Sequence, residues 1–273
     1  MFAALKKNVK ITAANIPAAT QLFTPHWIVR YLVENSLGRL WLLNKPSSNL
    51  AGQMEYYIAP EEAETDFLKI SKPEEIRICD PAVGSGHMLT YAFDLLYAIY
   101  EEEGYSPDDI PALILTHNLT GIEIDDRAGA LAAFALTMKA ASKLGRRKFL
   151  QLKTQPNICV LQNISFTESE MQDVAAAVGK DLFTDALKDT LAQFEQAKNF
   201  GSLITPKIRN PSEALRRVEG RDFNTDLLLA PVLQRLAYAL QMAEALSPKY
   251  HVVVANPPYM GGKGDEREAG FIC

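Results

Sequence analysis

Residues 76–97 constrain the fold most, because they read as a strand, a glycine-rich turn and a helix in immediate succession. Residues 76–79 form a short strand-like run, and apolar residues at helical spacing begin at Met88. The turn between them reads Asp80-Pro81-Ala82-Val83-Gly84-Ser85-Gly86. Glycines permit positive φ and a close approach of the backbone to a ligand, and free N–H groups at a helix start can bind an anionic group. The segment therefore predicts an α/β fold with a nucleotide-type cofactor site beside this turn.

The spacing separates this turn from two common phosphate-binding motifs. It lacks the pattern Gly-x-Gly-x-x-Gly, and no Gly-Lys-Ser/Thr follows it. Asp80 at the strand end suits a cationic or amine-bearing ligand better than a pyrophosphate. On these residues alone, a tight strand–helix turn without a ligand stays open as the alternative.

Two further strands are expected to bring polar side chains to the same sheet edge. A second strand is predicted from the apolar run 113–115 and residues 119–125, where a carboxylate at Glu123 can accept both hydroxyls of a ribose. An alanine-rich helix is predicted over about residues 128–144. A third strand over residues 158–161 leads to Asn163, whose amide can hydrogen-bond the edge of an adenine ring.

A fourth strand ends in a turn that suits a flat heterocycle. Residues 252–255 are apolar, which is typical of a strand buried on both faces of a parallel sheet. The prolines of the following Asn256-Pro257-Pro258-Tyr259 have fixed φ and no N–H, so they end the strand and stiffen the turn. Free carbonyls, an amide oxygen and an aromatic ring together fit a base with an exocyclic amine. A plain Asn-Pro turn is the alternative.

The remaining segments predict helices around these strands. Thr24 is expected to cap a helix that has Pro25 at its first position and reaches about Trp41. The expected class is a Rossmann-like α/β sheet with N-terminal helices and a helical insertion. Four regions are predicted: an N-terminal helical region at residues 1–75, an α/β cofactor half at 76–166, a helical insertion at 167–248, and a final strand with a short tail at 249–273.

Composition and charge narrow the function further. The chain has 273 residues, and its three cysteines are too few and too scattered for a disulfide framework or a zinc site, so Cys79 and Cys159 are expected in the core. It has neither a bilayer-length apolar run nor a signal-peptide core, which predicts a cytoplasmic location. The net charge of -5 argues against strong nucleic-acid binding by this segment alone. Basic groups at residues 146–148 and 207–221 are expected on solvated surfaces.

Four motifs in a fixed order resemble the S-adenosylmethionine-dependent adenine-N6 DNA methyltransferases. These are Phe23-Thr24-Pro25, the turn that starts at Asp80, Gly121-Ile122-Glu123-Ile124-Asp125 and Asn256-Pro257-Pro258-Tyr259. The residues around two of them, Thr24-Pro25-His26-Trp27-Ile28-Val29 and Ser85-Gly86-His87-Met88-Leu89, look most like the BREX phage-defence methyltransferases of the PglX family. The resemblance covers most of the chain and is weakest in the helical insertion and the last ten residues.

The resemblance implies a cofactor role for one residue set. Phe23, Thr24 and Pro25 would contact the methionine part of S-adenosylmethionine, and Asp80 would approach its amino group. Glu123 would bind the ribose, and Ile124 would lie against the adenine ring. Asn163 stands where related enzymes often carry Asp, so weaker cofactor binding is expected. The cofactor-binding residues implied are Phe23, Thr24, Pro25, Asp80, Ala82, Gly84, Ser85, Gly86, Glu123, Ile124 and Asn163.

The resemblance also implies methyl transfer to N6 of an adenine flipped out of double-stranded DNA. Asn256 and the Pro257 carbonyl would accept the two N6 hydrogens, Pro258 would stiffen the turn, and Tyr259 would stack on the base. The implied reaction is an in-line displacement that uses no metal and forms no covalent enzyme intermediate.

Partners and alternatives follow from the same comparison. Related enzymes continue past Asn-Pro-Pro-Tyr with further strands and a target-recognition region, whereas about fourteen residues follow Tyr259 here. The resemblance therefore implies a Rossmann-like class I methyltransferase sheet that is incomplete at its C-terminal side. The chain is therefore expected to be the N-terminal part of a phage-defence or restriction-modification enzyme, with weak or absent DNA binding and methylation of its own. Other defence-system proteins are expected partners, and a membrane is not. The alternatives are a protein glutamine methyltransferase and a non-catalytic cofactor-binding scaffold.

Overall fold

The computed structural model of the chain describes residues 24–220 and 229–257, and these divide between two compact units. The first unit is Met1–Ile158 with Tyr250–Cys273, and the second unit is Cys159–Lys249. Phe23, Pro258 and Tyr259 lie outside the described residues. The four-region division drawn from the sequence stays a prediction.

A four-stranded parallel sheet organises the site. Its order is β3-β2-β1-β4, with β1 at Ile78–Asp80, β2 at Leu119–Glu123, β3 at Asn157–Val160 and β4 at Val252–Val253. In the register, Ile78 lies opposite both Leu119 and Val252, so β1 pairs with β2 on one side and β4 on the other. The expected Rossmann-like α/β class is confirmed. Parallel pairing brings the carboxyl ends of β1, β2 and β4 to one edge.

The strand before the Asn-Pro-Pro turn is less buried than its sequence predicts. β4 lies at the edge of the sheet and is two residues long. Val252 and Val254 are buried, whereas Val253 is 62 % exposed. Because successive side chains of a strand point to opposite faces, one face of β4 is covered and the other is open. The prediction of burial on both faces is therefore wrong.

Helices of the first unit lie before and between these strands. They are α1 (His26–Val33), a π-helical turn (Glu34–Gly38), α2 (Arg39–Asn44), 3-10 turns at Asn49–Gln53 and Pro73–Glu75, α3 (His87–Glu102), α4 (Ile110–Leu113), a second π-helical turn (Ile114–Asn118) and α5 (Asp126–Phe149). The helix predicted to about Trp41 is confirmed, with a π-helical turn inside it. Residues 113–115 are helical, so their assignment to a strand is wrong.

The start of α1 differs from the prediction. Pro25, rather than Thr24, occupies the cap position, and the prediction of a Thr24 cap is wrong. The Pro25 carbonyl accepts hydrogen bonds from the N–H groups of Ile28, at 2.9 Å, and Val29, at 3.2 Å. The helix therefore begins one residue later than predicted, and no side chain among the described residues caps its first turn.

The core of the first unit combines buried residues of α1, the π-helical turn after it, α2, α3 and β1. Its fully buried members include Val33, Leu37, Trp41, Phe93, Leu96 and Ile78. Cys79 is buried and free, and burial raises the pKa of its thiol to about 12. Cys159 is also free but only half-buried. Burial raises the pKa of the Cys159 thiol to about 11, so both thiols stay protonated at neutral pH.

The second unit is helical, as expected. Its elements are α6 (Glu168–Val178), α7 (Asp185–Gln193), a 3-10 turn (Phe194–Gln196), α8 (Ala197–Phe200), a 3-10 turn (Gly201–Leu203), α9 (Pro211–Glu219) and α10 (Ala230–Leu246). Each longer helix turns an apolar stripe inward, and Val174, Leu191, Phe194, Val218 and Leu236 form the core. None of the helices in the described segments is long and apolar enough to cross a bilayer.

Two glycines with the same backbone angle give a matched test of the packing between α3 and α5. Gly86 and Gly104 both have φ of 84°. A Cβ on Gly86 would lie 3.2 Å from Cα and Cβ of Ala132 in α5, whereas a Cβ on Gly104 would meet nothing within 4 Å.

We expect Gly104→Ala to lower the free energy of unfolding by about 1–2 kcal/mol, the cost of a left-handed alanine. Gly86→Ala should cost that amount plus about 1–3 kcal/mol, because its methyl group crowds Ala132. Urea unfolding of both variants measures the difference. Equal losses would contradict the close approach of α5 to the glycine turn.

Candidate active site

Asp80 ends β1 as a buried acid at the edge of the sheet. It is 2 % exposed, and its Oδ1 accepts a hydrogen bond from the Ala82 N–H at 3.1 Å. Burial raises the pKa of Asp80 to about 7, and the nearby Glu123 carboxylate adds to the rise. Within residues 24–220 and 229–257, the Ala82 N–H is the group that opposes this shift, and no cation contributes. A buried carboxylate of this kind favours a cationic ligand.

The glycine-rich turn leaves space beside this carboxylate. Gly84 has φ of 54°, and the atom nearest to a Cβ built on it would be the Ala82 carbonyl oxygen at 4.0 Å. The Val83 N–H donates to the Ile122 carbonyl at 3.0 Å, which ties the turn to β2. A side chain at position 84 would therefore extend into open space at the sheet edge. The backbone beside Gly84 is held in place by the hydrogen bond to β2.

Glu123 joins the loops that follow β1 and β2. Its Oε2 accepts from the Gly84 N–H at 2.7 Å, and its Oε1 accepts from the N–H groups of Ile124, at 2.8 Å, and Asp125, at 3.1 Å. The sequence identified Glu123 but gave no sign of this bridging role, which depends on the pairing of β1 with β2. A carboxylate has about four lone-pair positions, so three N–H donors still leave one for a ligand hydroxyl.

Asp125, the second acid of this loop, has a structural role. It caps α5, and its Oδ1 accepts from the N–H groups of Arg127 and Ala128, both at 2.9 Å. Ile124 lies between the two acids and is half-buried. The loop therefore offers Glu123 and Ile124 to the open edge and uses Asp125 to start the helix.

One hydrogen bond brings the first and last motifs together. The Asn256 Nδ2 donates to the Thr24 Oγ1 at 3.0 Å, across 232 residues of sequence. Asn256 follows β4, which pairs with β1, so this contact lies at the same sheet edge as Asp80. Donation by Nδ2 directs the amide oxygen of Asn256 away from Thr24. Pro257 follows and is exposed.

The other predicted residues fall into two groups. Ala82, Ser85 and Gly86 lie in the glycine-rich turn, where the Ser85 Oγ is 2.8 Å from the His87 Nδ1. Asn163 belongs to the second unit, where its Oδ1 accepts from the Lys198 N–H at 2.8 Å. A structural bond of this kind was not foreseen from its sequence position. Among the described residues, no group of His, Cys, Asp and Glu side chains is arranged to hold a metal ion.

Comparison with known proteins places this sequence in a family. Residues 117–271, more than half of the chain, match the model of the Eco57I restriction-modification methylase family. The adenine-specific methyltransferase BrxX of Escherichia coli O9:H4 (strain HS) is 41% identical over 287 residues, which cover 93% of this chain and 24% of BrxX. The adenine-specific methyltransferase PglX of Lacticaseibacillus casei (strain Zhang) is 37% identical over 292 residues, which cover 99% of this chain and 24% of PglX.

The chain thus spans about a quarter of the length of these curated relatives. The family match includes β2 with Glu123 and the turn at Asn256, two of the motifs on which the resemblance was based. The resemblance drawn from the sequence is confirmed, and the chain belongs to the Eco57I restriction-modification methylase family.

Proposed function

We propose that this chain carries the cofactor site and the substrate turn of an S-adenosylmethionine-dependent DNA adenine-N6 methyltransferase of a phage-defence or restriction-modification system. The observation that carries the proposal is that Asp80, Gly84, Glu123 and the Thr24–Asn256 pair meet at one sheet edge. Both relatives are named adenine-specific methyltransferases, which supports adenine as the target.

The charges at this edge fit the proposed cofactor. S-adenosylmethionine carries a positive ammonium group and a positive sulfonium, and a buried Asp80 with its raised pKa gains a counter-ion when an ammonium binds. Gly84 leaves room for the ligand, and the remaining lone pair of Glu123 suits a ribose hydroxyl. When bound, the cofactor supplies an electrophilic methyl group.

The turn at Asn256 suits an exocyclic amine. The Asn256 amide oxygen and the Pro257 carbonyl are acceptors on a stiff turn, so they can take the two hydrogens of an amino group in one fixed geometry. Hydrogen bonding of this kind holds the nitrogen with its lone pair out of the ring plane, which favours the transition-state geometry. The stacking role of Tyr259 stays a prediction.

The proposal includes double-stranded DNA with a flipped adenine as substrate, and other defence-system proteins as partners. The two alternative functions, a protein glutamine methyltransferase and a non-catalytic scaffold, would use the same sheet edge differently. A protein glutamine methyltransferase would hold a planar side-chain amide on the same two acceptors. A scaffold would bind the cofactor and transfer nothing.

The first prediction from the proposed function concerns the open space at Gly84. Gly84→Asn should weaken S-adenosylmethionine binding at least about tenfold, because the new side chain would occupy the open space beside Asp80 while asparagine tolerates positive φ. Isothermal titration calorimetry measures the affinity. Gly104→Asn, at a positive-φ glycine with open surroundings, is the matched control and should bind normally. Equal affinities for the two variants would place the cofactor elsewhere.

The second prediction concerns the pH dependence of binding. Because the pKa of Asp80 is about 7 in the unliganded protein, its carboxyl is neutral at lower pH and attracts an ammonium less. Affinity for S-adenosylmethionine should fall by up to about tenfold for each pH unit below 7 and be highest just above 7, since an α-ammonium such as the ligand's loses its proton at a pKa of about 7.7–8.0. Titrations from about pH 5.5 to 8 test this. Asp80→Asn keeps an acceptor for the Ala82 N–H, and its weak binding should not vary with pH below 7.

The third prediction is the stability cost of the same carboxylate. The folded pKa of about 7 lies above the ordinary 3.8, so the stabilisation is present below about pH 4 and is lost as the pH rises through 7. Asp80→Asn should therefore raise the unfolding free energy of the unliganded protein at pH 8 by roughly 2–4 kcal/mol, and have little effect near pH 4. Urea unfolding at both values measures it. A destabilised variant at pH 8 would show that Asp80 is structural.

The fourth prediction separates the three candidate functions. Radiolabelled methyl transfer is measured with DNA containing an unpaired adenine and with a glutamine-containing peptide. We expect low but measurable incorporation into the DNA, abolished by Asn256→Ala, and none into the peptide. Incorporation into the peptide alone would identify a protein glutamine methyltransferase. Cofactor binding without transfer to either substrate would support the scaffold.

A further inference from the structure

A second buried carboxylate lies in the first unit, apart from the candidate active site. Glu34 is 0 % exposed and is the first residue of the π-helical turn after α1. Its Oε1 accepts from the Tyr91 hydroxyl at 2.5 Å and from the Arg30 Nε at 3.2 Å, and its Oε2 accepts from the Tyr56 N–H at 2.5 Å. Three donors from three separate segments therefore satisfy one buried anion.

Tyr91 connects this cluster to the glycine-rich turn. It lies in the second turn of α3, the helix that begins directly after Gly86. Its ring also packs edge-on against His26, with the ring centroids 6.2 Å apart, and the Arg30 guanidinium lies 5.7 Å from its centre. The first residue of α1 and the residue just after its last turn therefore both contact one side chain of α3.

Tyr91 and Glu34 meet at the C-terminal end of α1, and the contact between Thr24 and Asn256 lies before its N-terminal end. The Pro25 carbonyl bonds to two N–H groups in the first turn of α1, so Thr24 is carried by that helix. The Thr24 Oγ1 in turn accepts a hydrogen bond from the Asn256 Nδ2. α1 thus lies between the glycine-rich turn and the substrate turn, with one side-chain hydrogen bond leading toward each. π-helical turns inside α-helices are frequent at functional sites, and the one here presents Glu34 to Tyr91.

We propose that Tyr91 and Glu34 are positioning residues that hold α1 so that Thr24 meets both the cofactor and Asn256. They act through Thr24. The inference rests on the proposed function where cofactor binding is the measurement. A positioning role differs from a general packing role in one respect. The effect of the Tyr91 hydroxyl on cofactor binding must depend on the Thr24 hydroxyl.

The experiment removes one hydroxyl group. Tyr91→Phe keeps the ring against His26 and Arg30, and leaves Glu34 with its other two donors, so the variant folds. Its affinity for S-adenosylmethionine should be about three- to tenfold weaker. The matched control is Tyr105→Phe, which removes a similar hydroxyl that donates to the Glu74 carboxylate at 2.8 and 2.9 Å. The control should bind the cofactor as the wild type does.

A double-mutant cycle then separates positioning from packing. Thr24→Val removes the hydroxyl that accepts from Asn256. If Tyr91 acts through Thr24, Tyr91→Phe weakens binding in the wild-type background and has no further effect in the Thr24→Val background. An equal fold-loss in both backgrounds overturns the inference, and so does unchanged binding by Tyr91→Phe alone.

Amide hydrogen exchange tests the same point without a ligand. The N–H groups of Ile28 and Val29 bond to the Pro25 carbonyl, so their exchange reports on the start of α1. They should exchange faster in Tyr91→Phe and at the wild-type rate in Tyr105→Phe; equal rates in all three proteins overturn the inference. A wild-type protein that binds no cofactor would contradict the proposed function, and the exchange rates would still decide on Tyr91.

Discussion

The carboxylate of Glu123 is the interaction on which the geometry of the site depends. It accepts N–H groups from the loop after β1 and from the loop after β2, so one side chain fixes the distance between them. Without it, the Gly84 N–H would lose its acceptor, and an unpaired N–H in a partly buried turn is costly. The resemblance implied only a ligand-binding role for this residue. The structure adds a reason why a carboxylate is needed there even before a ligand arrives.

The two buried acids in the described part of the first unit show how structure and function can be told apart. Glu34 and Asp80 are 0 % and 2 % exposed. Glu34 has a guanidinium, a hydroxyl and a backbone N–H as donors, so its burial is compensated from within the fold. Asp80 has the Ala82 N–H, and the neighbouring acid Glu123 makes its charge more costly. A fold that keeps an uncompensated acid at a strand end sacrifices stability there, and a cationic ligand recovers it.

Local sequence patterns predicted the local structure well and the long-range contacts poorly. The glycine-rich turn, α3, α5 and the helices of the second unit follow from spacing and from turn chemistry. The cap assigned to Thr24 was wrong because α1 has Pro25 at its cap position. The Thr24 hydroxyl instead accepts from Asn256, and β1 pairing with β4 creates that contact across 232 residues. The exposure of Val253 could not be read from apolar residues alone, since it depends on which strand becomes the edge. Likewise, nothing local marks Asn163 as a partner of Lys198.

The charges of the second unit bear on how DNA would be held. Lys207 pairs with Asp189 at 2.8 Å, and Arg217 pairs with Asp181 and Glu213, each at 2.8 Å, as expected of a solvated surface. Cations already paired with carboxylates release few counter-ions on meeting phosphates, and the whole chain has a net charge of -5. Under the proposed function, this chain would therefore hold an adenine through short-range acceptors at the Asn256 turn rather than through phosphate attraction. Such contacts select the base but contribute little to affinity for the duplex. Salt should therefore weaken adenine binding at the Asn256 turn less than it weakens DNA binding by a basic surface.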